Sequence, residues 1–306
     1  MTGIARVDLV RLALAALCWG LGTVSSKQAL TALAPITLLA AQLAVSVGVV
    51  AIVLRIRGTR LSAPSGLARL GLLNPGLAYA LSLLGLVSIS ASLSVILWAL
   101  EPLLIIVLAA LTLGERLSRT LILLTGLAVV GTVIVAYDPA VNGALLGVVL
   151  TLAGIACCAV YSVAARRWLP GADSTADVVL LQQAHALAFA LAALAIVAVV
   201  GGTPLPMRAG LPELASAIVS GLLYYAAAYW FYLGALRNVP ASRAVVSFYL
   251  IPIVGVAASF AWLGERLEPR QLIGAAIVLL AVVASARQPG SAPLVAADQP
   301  VRSPAS

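Results

Sequence analysis

The sequence predicts an all-α integral membrane protein with ten transmembrane helices in two inverted five-helix repeats. Three observations lead there: composition, the placement of positive charge, and an internal repeat. Of 306 residues, 63% are hydrophobic and 9% charged, with a mean hydropathy of +1.13. Soluble domains sit near 45–50% apolar and about 25% charged. A water-facing surface cannot absorb so large an apolar excess without aggregating. Long continuous apolar runs also exclude an outer-membrane barrel, whose strands alternate apolar and polar residues.

A bilayer-crossing helix uses roughly 20 apolar residues. Such runs fall at about 9–29, 34–54, 68–88, 91–112, 119–137, 143–164, 176–200, 213–235, 241–263 and 270–287. Residues 288–306 are rich in Pro, Ala and Ser and read as a disordered cytoplasmic tail. The first run is short of a secretory leader because no small-residue cleavage site follows it, so it reads as a structural helix. Positive charge then orients the spans. With the N-terminus inside, Arg6, Arg11, Arg55, Arg57, Arg60, Arg69, Arg116, Arg119, Arg166, Arg167, Arg237, Arg243, Arg287 and Arg302 are cytoplasmic. Only Lys27, Arg208, Arg266 and Arg270 lie at the opposite ends. The expected location is therefore the inner (plasma) membrane, multi-pass, with both termini cytoplasmic.

The repeat is legible by eye. Leu113-Gly114-Glu115-Arg116-Leu117 returns as Leu263-Gly264-Glu265-Arg266-Leu267. The same offset pairs Ala91-Ser92 with Ala241-Ser242, Pro102 with Pro252, and Tyr79 with Tyr229. Two repeats are expected, residues 1–138 and 139–287, each with five spans. An odd number of crossings per repeat sets the halves in opposite orientations. Inverted repeats recur in secondary transporters, with the substrate bound near the midplane between them.

Several residues stand out against the apolar background. Glu101 sits within an apolar run, where a central charge costs roughly 2.5–3.5 kcal/mol on insertion scales. Ser90, Ser94, Trp98 and Glu101 fall on one helix face, which requires protein or water beside it. Pro102 follows and removes an intrahelical hydrogen bond. The functional reading makes this stripe a cavity wall whose carboxyl meets an ammonium or a coupling proton. The competing reading is a protonated Glu bonded across the kink. In the repeat, Glu101 faces Ile251, so the position is asymmetric.

Ten of the 17 aromatic residues lie between Tyr224 and Trp262. Tyr225, Tyr229 and Tyr232 share a helical face, and Tyr225 and Tyr229 lie deep enough to line a cavity by stacking or cation–π attraction. An interfacial aromatic belt is the other explanation, and it suits Phe231 and Tyr232 better. Lys27 ends the first span, either as a ligand for a carboxylate or Glu101, or as a snorkelling lysine. His185, the lone histidine, sits beside Gln182 and Gln183. It offers either a proton relay or a packed, hydrogen-bonded side chain. Asn74 and Pro75 interrupt the third span and mark a hinge or backbone site. Candidate cavity residues are thus Glu101, Trp98, Ser94, Tyr225, Tyr229, Tyr79 and Asn74. Candidate coupling or gating residues are Glu101, Lys27, His185, Pro102 and Pro252.

No metal-ligand cluster, P-loop or Gly-x-Ser-x-Gly elbow is present in the sequence, so neither a cofactor, a metal nor an enzymatic activity is expected. A pore with symmetric selectivity rings fits poorly, because Glu101 has no repeat partner.

These residues resemble the drug/metabolite transporter superfamily, in particular its ten-helix members with two EamA-type domains. The resemblance rests on Trp19-Gly20 followed by Lys27, on Pro102 ahead of Leu-Gly-Glu-Arg-Leu, on the second copy from Pro252 to Leu267, and on Asn238-Val239-Pro240-Ala241 after the aromatic eighth span. It implies a helical basket, alternating access, and export of amino acids or other small metabolites. The first substrate guess is an amino acid or related amine, with proton coupling through Glu101. Flat drug-like compounds, or nucleotide-sugar and sugar-phosphate substrates, are the alternatives. The expected partners are a small-molecule substrate and membrane lipid, without nucleic acid.

Overall fold

The computed structural model describes residues 6–58, 64–113, 119–136, 144–165, 175–200, 209–236, 239 and 245–286. The first Gly-Glu-Arg turn, Ala241-Ser242, the tail 288–306 and several of the basic residues counted above lie outside them. Among the described residues every regular element is helical. The chain runs α1 (Arg6–Ala29), α2 (Pro35–Ile56), α3 (Ser65–Ser88), α4 (Ala91–Trp98), α5 (Glu101–Leu113), α6 (Arg119–Ala136), α7 (Ala144–Ala165) and α8 (Thr175–Val199). Then come α9 (Leu211–Ser220, continued by Gly221–Ala227 and Ala228–Leu236), α10 (Val245–Tyr249, Leu250–Ala258 and Ser259–Leu263) and α11 (Pro269–Ala286).

Seven of these helices are long and apolar enough to cross a membrane, and three shorter apolar helices accompany them. Their outward faces carry Leu111, Leu123, Leu145, Ile196, Val199 and Leu280, each more than 60% exposed. A surface of that kind is stable against lipid and not against water. The protein is a multi-pass membrane protein.

Where the sequence signals a break, the backbone breaks. In α3 the regular turns give way over Leu70–Leu77, and Asn74 adopts an extended conformation (φ −140°, ψ 117°). Between α4 and α5 the chain tightens: Ala99 N–H donates to Ile96 and Leu100 N–H to Leu97, each three residues back. Pro102 follows, and its missing N–H is tolerated in the first turn of the new helix.

The halves interlock. α1 packs on α9 and α10, α2 on α8, α3 on α7, α4 on α10, and α6 on α11. α7 in turn packs on α4 and α5, so the pairings of α1 with α9 and α10 have their counterparts in those of α7 with α3 and with α4 and α5. Close approach depends on small residues. A Cβ on Gly22 would meet Tyr224 at 3.0 Å, and one on Gly221 would meet the Gln42 backbone at 2.9 Å. The principal core joins α1, α2, α3, α8 and α9 around Val24, Leu39, Leu43, Leu83 and Tyr225.

Candidate functional site

A narrow cavity opens between α1, α2, α3, α4 and α9. Thr23, Ser26, Gln42, Tyr79, Ser82, Leu83, Leu86, Ser94, Trp98, Tyr224 and Tyr225 line it. Its volume is about 20 Å³, room for roughly one water molecule. Anything larger needs the helices to separate.

Two kinds of surface face this space. The first is aromatic. Tyr79 packs against Trp98 (centroids 5.4 Å apart) and edge-to-face on Tyr224 (5.2 Å) and Tyr225 (5.4 Å). The second is a set of hydrogen-bond acceptors. Thr23, Ser26 and Ser82 each donate their hydroxyl proton to a carbonyl one turn back, on Trp19, Gly22 and Ala78. Their remaining lone pairs are what they offer to the cavity.

Gln42, 1% exposed, is the most buried amide here. Its Nε2 donates to Ser26 Oγ at 2.8 Å and to Ser220 Oγ at 2.7 Å. Ser220 donates its own proton to Ala217. Both hydroxyls are therefore acceptors toward Gln42, which fixes the amide orientation. Oε1 is left buried without a donor, an arrangement that costs about 1–3 kcal/mol. A second glutamine, Gln183, binds Ser46 Oγ at 2.6 Å and the Tyr225 carbonyl at 3.2 Å, tying α8 to α2 and α9.

The structure sorts the residues singled out in the sequence. Ser94, Trp98, Tyr79 and Tyr225 meet at the cavity. Tyr224, Thr23, Ser26, Gln42 and Ser82, which are not among the cavity candidates from the sequence, join them. Tyr229 lies behind this wall, edge-to-face with Trp19 (5.7 Å), its hydroxyl 3.5 Å from that of Tyr79. Ser90 leaves the expected stripe to cap α4, accepting the Leu93 N–H at 3.0 Å. Glu101 begins α5, half-buried, and bonds to no other described residue. It lies within electrostatic reach of Tyr79, Tyr161, Tyr224, Tyr232 and Cys158, so it faces the interior of the bundle. Asn74 is buried at the α3 break with its side-chain oxygen unpartnered. His185 Nδ1 contacts the Leu181 carbonyl on its own helix at 2.8 Å, apart from the cavity. Pro102 and Pro252 are buried within broken or irregular spans.

Lys27 and Glu265 lie within electrostatic reach of each other, Lys27 on the carbonyl of the cavity residue Leu86. Lys27 Nζ donates to the carbonyls of Leu86 (2.7 Å), Val87 (3.3 Å) and Ile89 (2.8 Å), closing the C-terminus of α3. Glu265 accepts from the N–H groups of Ala91 (2.8 Å) and Ser92 (2.9 Å) and from Ser92 Oγ (2.7 Å). Together with Ser90 it satisfies the first three donors of α4, which a helix cannot satisfy itself. The second Leu-Gly-Glu-Arg-Leu copy explains how the carboxylate gets there. Gly264 takes a left-handed conformation (φ 69°) and Glu265 N–H reaches back to Ser259 O at 3.2 Å. This ends α10 in a tight glycine cap and turns the next side chain onto α4.

The EamA-like transporter family model matches residues 9–137 and again 145–287. The chain belongs to the EamA-like transporter family. One and the same family model thus matches the chain twice. A crystal structure described only as "Crystal structure of protein" shares the fold, with a TM-score of 0.63 at 19% identity over 90% of this chain and 95% of that one. No curated protein matches the chain. Membership makes the protein a membrane transporter of small molecules, and its cavity is the place to ask which ones.

Proposed function

We propose that this family member is a secondary transporter that exports small amines or amino acids across the inner membrane by alternating access. In this reading ten helices span the bilayer, α4 and α5 counting as one broken span. Residues 1–138 and 139–287 form oppositely oriented halves, and both termini and the tail 288–306 are cytoplasmic. The exchange symmetry of the helix pairings supports inverted halves.

The observation that carries the substrate class is the lining of the cavity: four aromatic rings, hydroxyl lone pairs and an amide oxygen, with neither Lys nor Arg among the lining residues. Ammonium groups are held by aromatic faces and acceptor oxygens. Phosphate-bearing substrates need cations, and Lys27 is spent on three carbonyls. Glu101, without a partner and facing the same interior, is the proton-coupling group in this reading. The nearly closed cavity corresponds to an intermediate between the two open states.

Counterflow in proteoliposomes tests the proposal. Vesicles preloaded with an unlabelled amine or amino acid should accumulate the labelled compound transiently above equilibrium. Accumulation of labelled sugar phosphate instead, or flux indifferent to preloading, would contradict it.

A further inference from the structure

We propose that Gln42 Oε1 is the group by which the cavity demands an N–H donor on its ligand, so that primary and secondary ammonium ions are accepted and quaternary ones disfavoured. This rests on the amine reading above and goes further by naming the discriminating atom.

Each Nε2 hydrogen of Gln42 has an acceptor, and each of those acceptors, Ser26 and Ser220, has already placed its own proton on a helix carbonyl. No internal rearrangement of this trio supplies a donor to Oε1. Oε1 is unpartnered on a side chain 1% exposed, in a residue that lines the cavity. Thr23 and Ser82, on the same lining, have also committed their protons to carbonyls. A ligand entering here meets these acceptor oxygens beside the Ser94 and tyrosine hydroxyls, which can donate as well as accept. An aromatic box alone favours no such donor, since quaternary ammonium ions are good ligands for aromatic cages. Gln42 changes that preference. A trimethylammonium group presents methyls to Oε1 and leaves it unsatisfied, whereas an ammonium group donates to it. Selectivity against a ligand that lacks a required hydrogen-bonding group is strong because the buried partner stays unpaired.

The experiment uses the purified full-length protein in detergent and titrates thermal stability with n-butylamine and with n-butyltrimethylammonium. Wild type should bind the primary amine about 10-fold tighter or more, as expected for a hydrogen bond to a charged donor. Gln42→Met, similar in length and without the acceptor, should bring the two affinities within about twofold by the same reasoning. Ser220→Ala removes one partner of Nε2 and leaves Oε1 alone, so it should keep the wild-type ratio. Gln42→Glu keeps an acceptor at this position and should raise the ratio; it serves where Gln42→Met fails to fold. Equal binding of both probes to wild type, an unchanged ratio in Gln42→Met, or a lowered ratio in Gln42→Glu would each overturn the assignment and leave the amine reading standing. Binding of neither probe to wild type would overturn both.

Discussion

Two buried or half-buried carboxylates sit at different depths of the same bundle and are treated in opposite ways. Glu265 accepts three hydrogen bonds at the N-terminus of α4, near Lys27, whose charge is spread over three carbonyls at the C-terminal end of α3 and just beyond it. Glu101 accepts none from any described residue. A charge with all its valences used is part of the scaffold, because moving it breaks several bonds at once. A carboxyl with none used ties no neighbouring helix in place. In the sequence Glu265 reads as part of a tight turn with a gating or packing role, and Glu101 as a carboxyl out of place in an apolar run.

The comparison can be broken from its strong side first. Glu265→Ala should cost about 2–3 kcal/mol, since it strips a charged cap and leaves two helix N–H groups bare. The apparent melting temperature in detergent, with and without the variant, measures it; an unchanged value would remove Glu265 from the scaffold. Lys27→Met should follow at about 1–2 kcal/mol, and combining it with Glu265→Ala should give a loss smaller than the sum, because both act on one turn. Ser92→Ala removes one of three donors to Glu265 and should lower stability by about 1 kcal/mol. Glu101→Gln sits at the far end. Its melting temperature should stay within about 0.5 kcal/mol of wild type in equivalent stability, while substrate-driven proton movement in proteoliposomes should stop. Retained proton movement would assign Glu101 to packing.

Much of the fold is readable in one dimension because the bilayer allows so few alternatives. Backbone groups in lipid must pair within their own segment, so apolar runs of sufficient length become helices. Pro102 and the Asn74-Pro75 pair announce their breaks for the same stereochemical reason. The candidate site is less legible. The wide turns over Gly221–Ala227 carry no residue signature, yet they shift the register of α9. That shift puts Tyr224 beside Tyr225 at the cavity, while Tyr229, expected there by helical spacing, packs behind on Trp19. Gln42 was invisible for a different reason. A polar residue within a span gains meaning only when its partners are known, and Ser220 lies 178 positions away. Ser90 illustrates competition: its helical spacing placed it with Ser94 and Trp98, but the need to cap α4 took its side chain first.

Tyr79 and Tyr229 occupy equivalent positions of the two repeats, and their hydroxyls are 3.5 Å apart. In the inverted-repeat reading, equivalent atoms come that close only beside the axis that relates the halves. Tyr79 now lines the cavity and Tyr229 stands behind it. If the halves trade conformations, these two side chains trade surroundings, yet the distance between their oxygens is left the same by the exchange. In the proposed alternating-access cycle the pair would be a fixed point, a pivot around which the two halves turn.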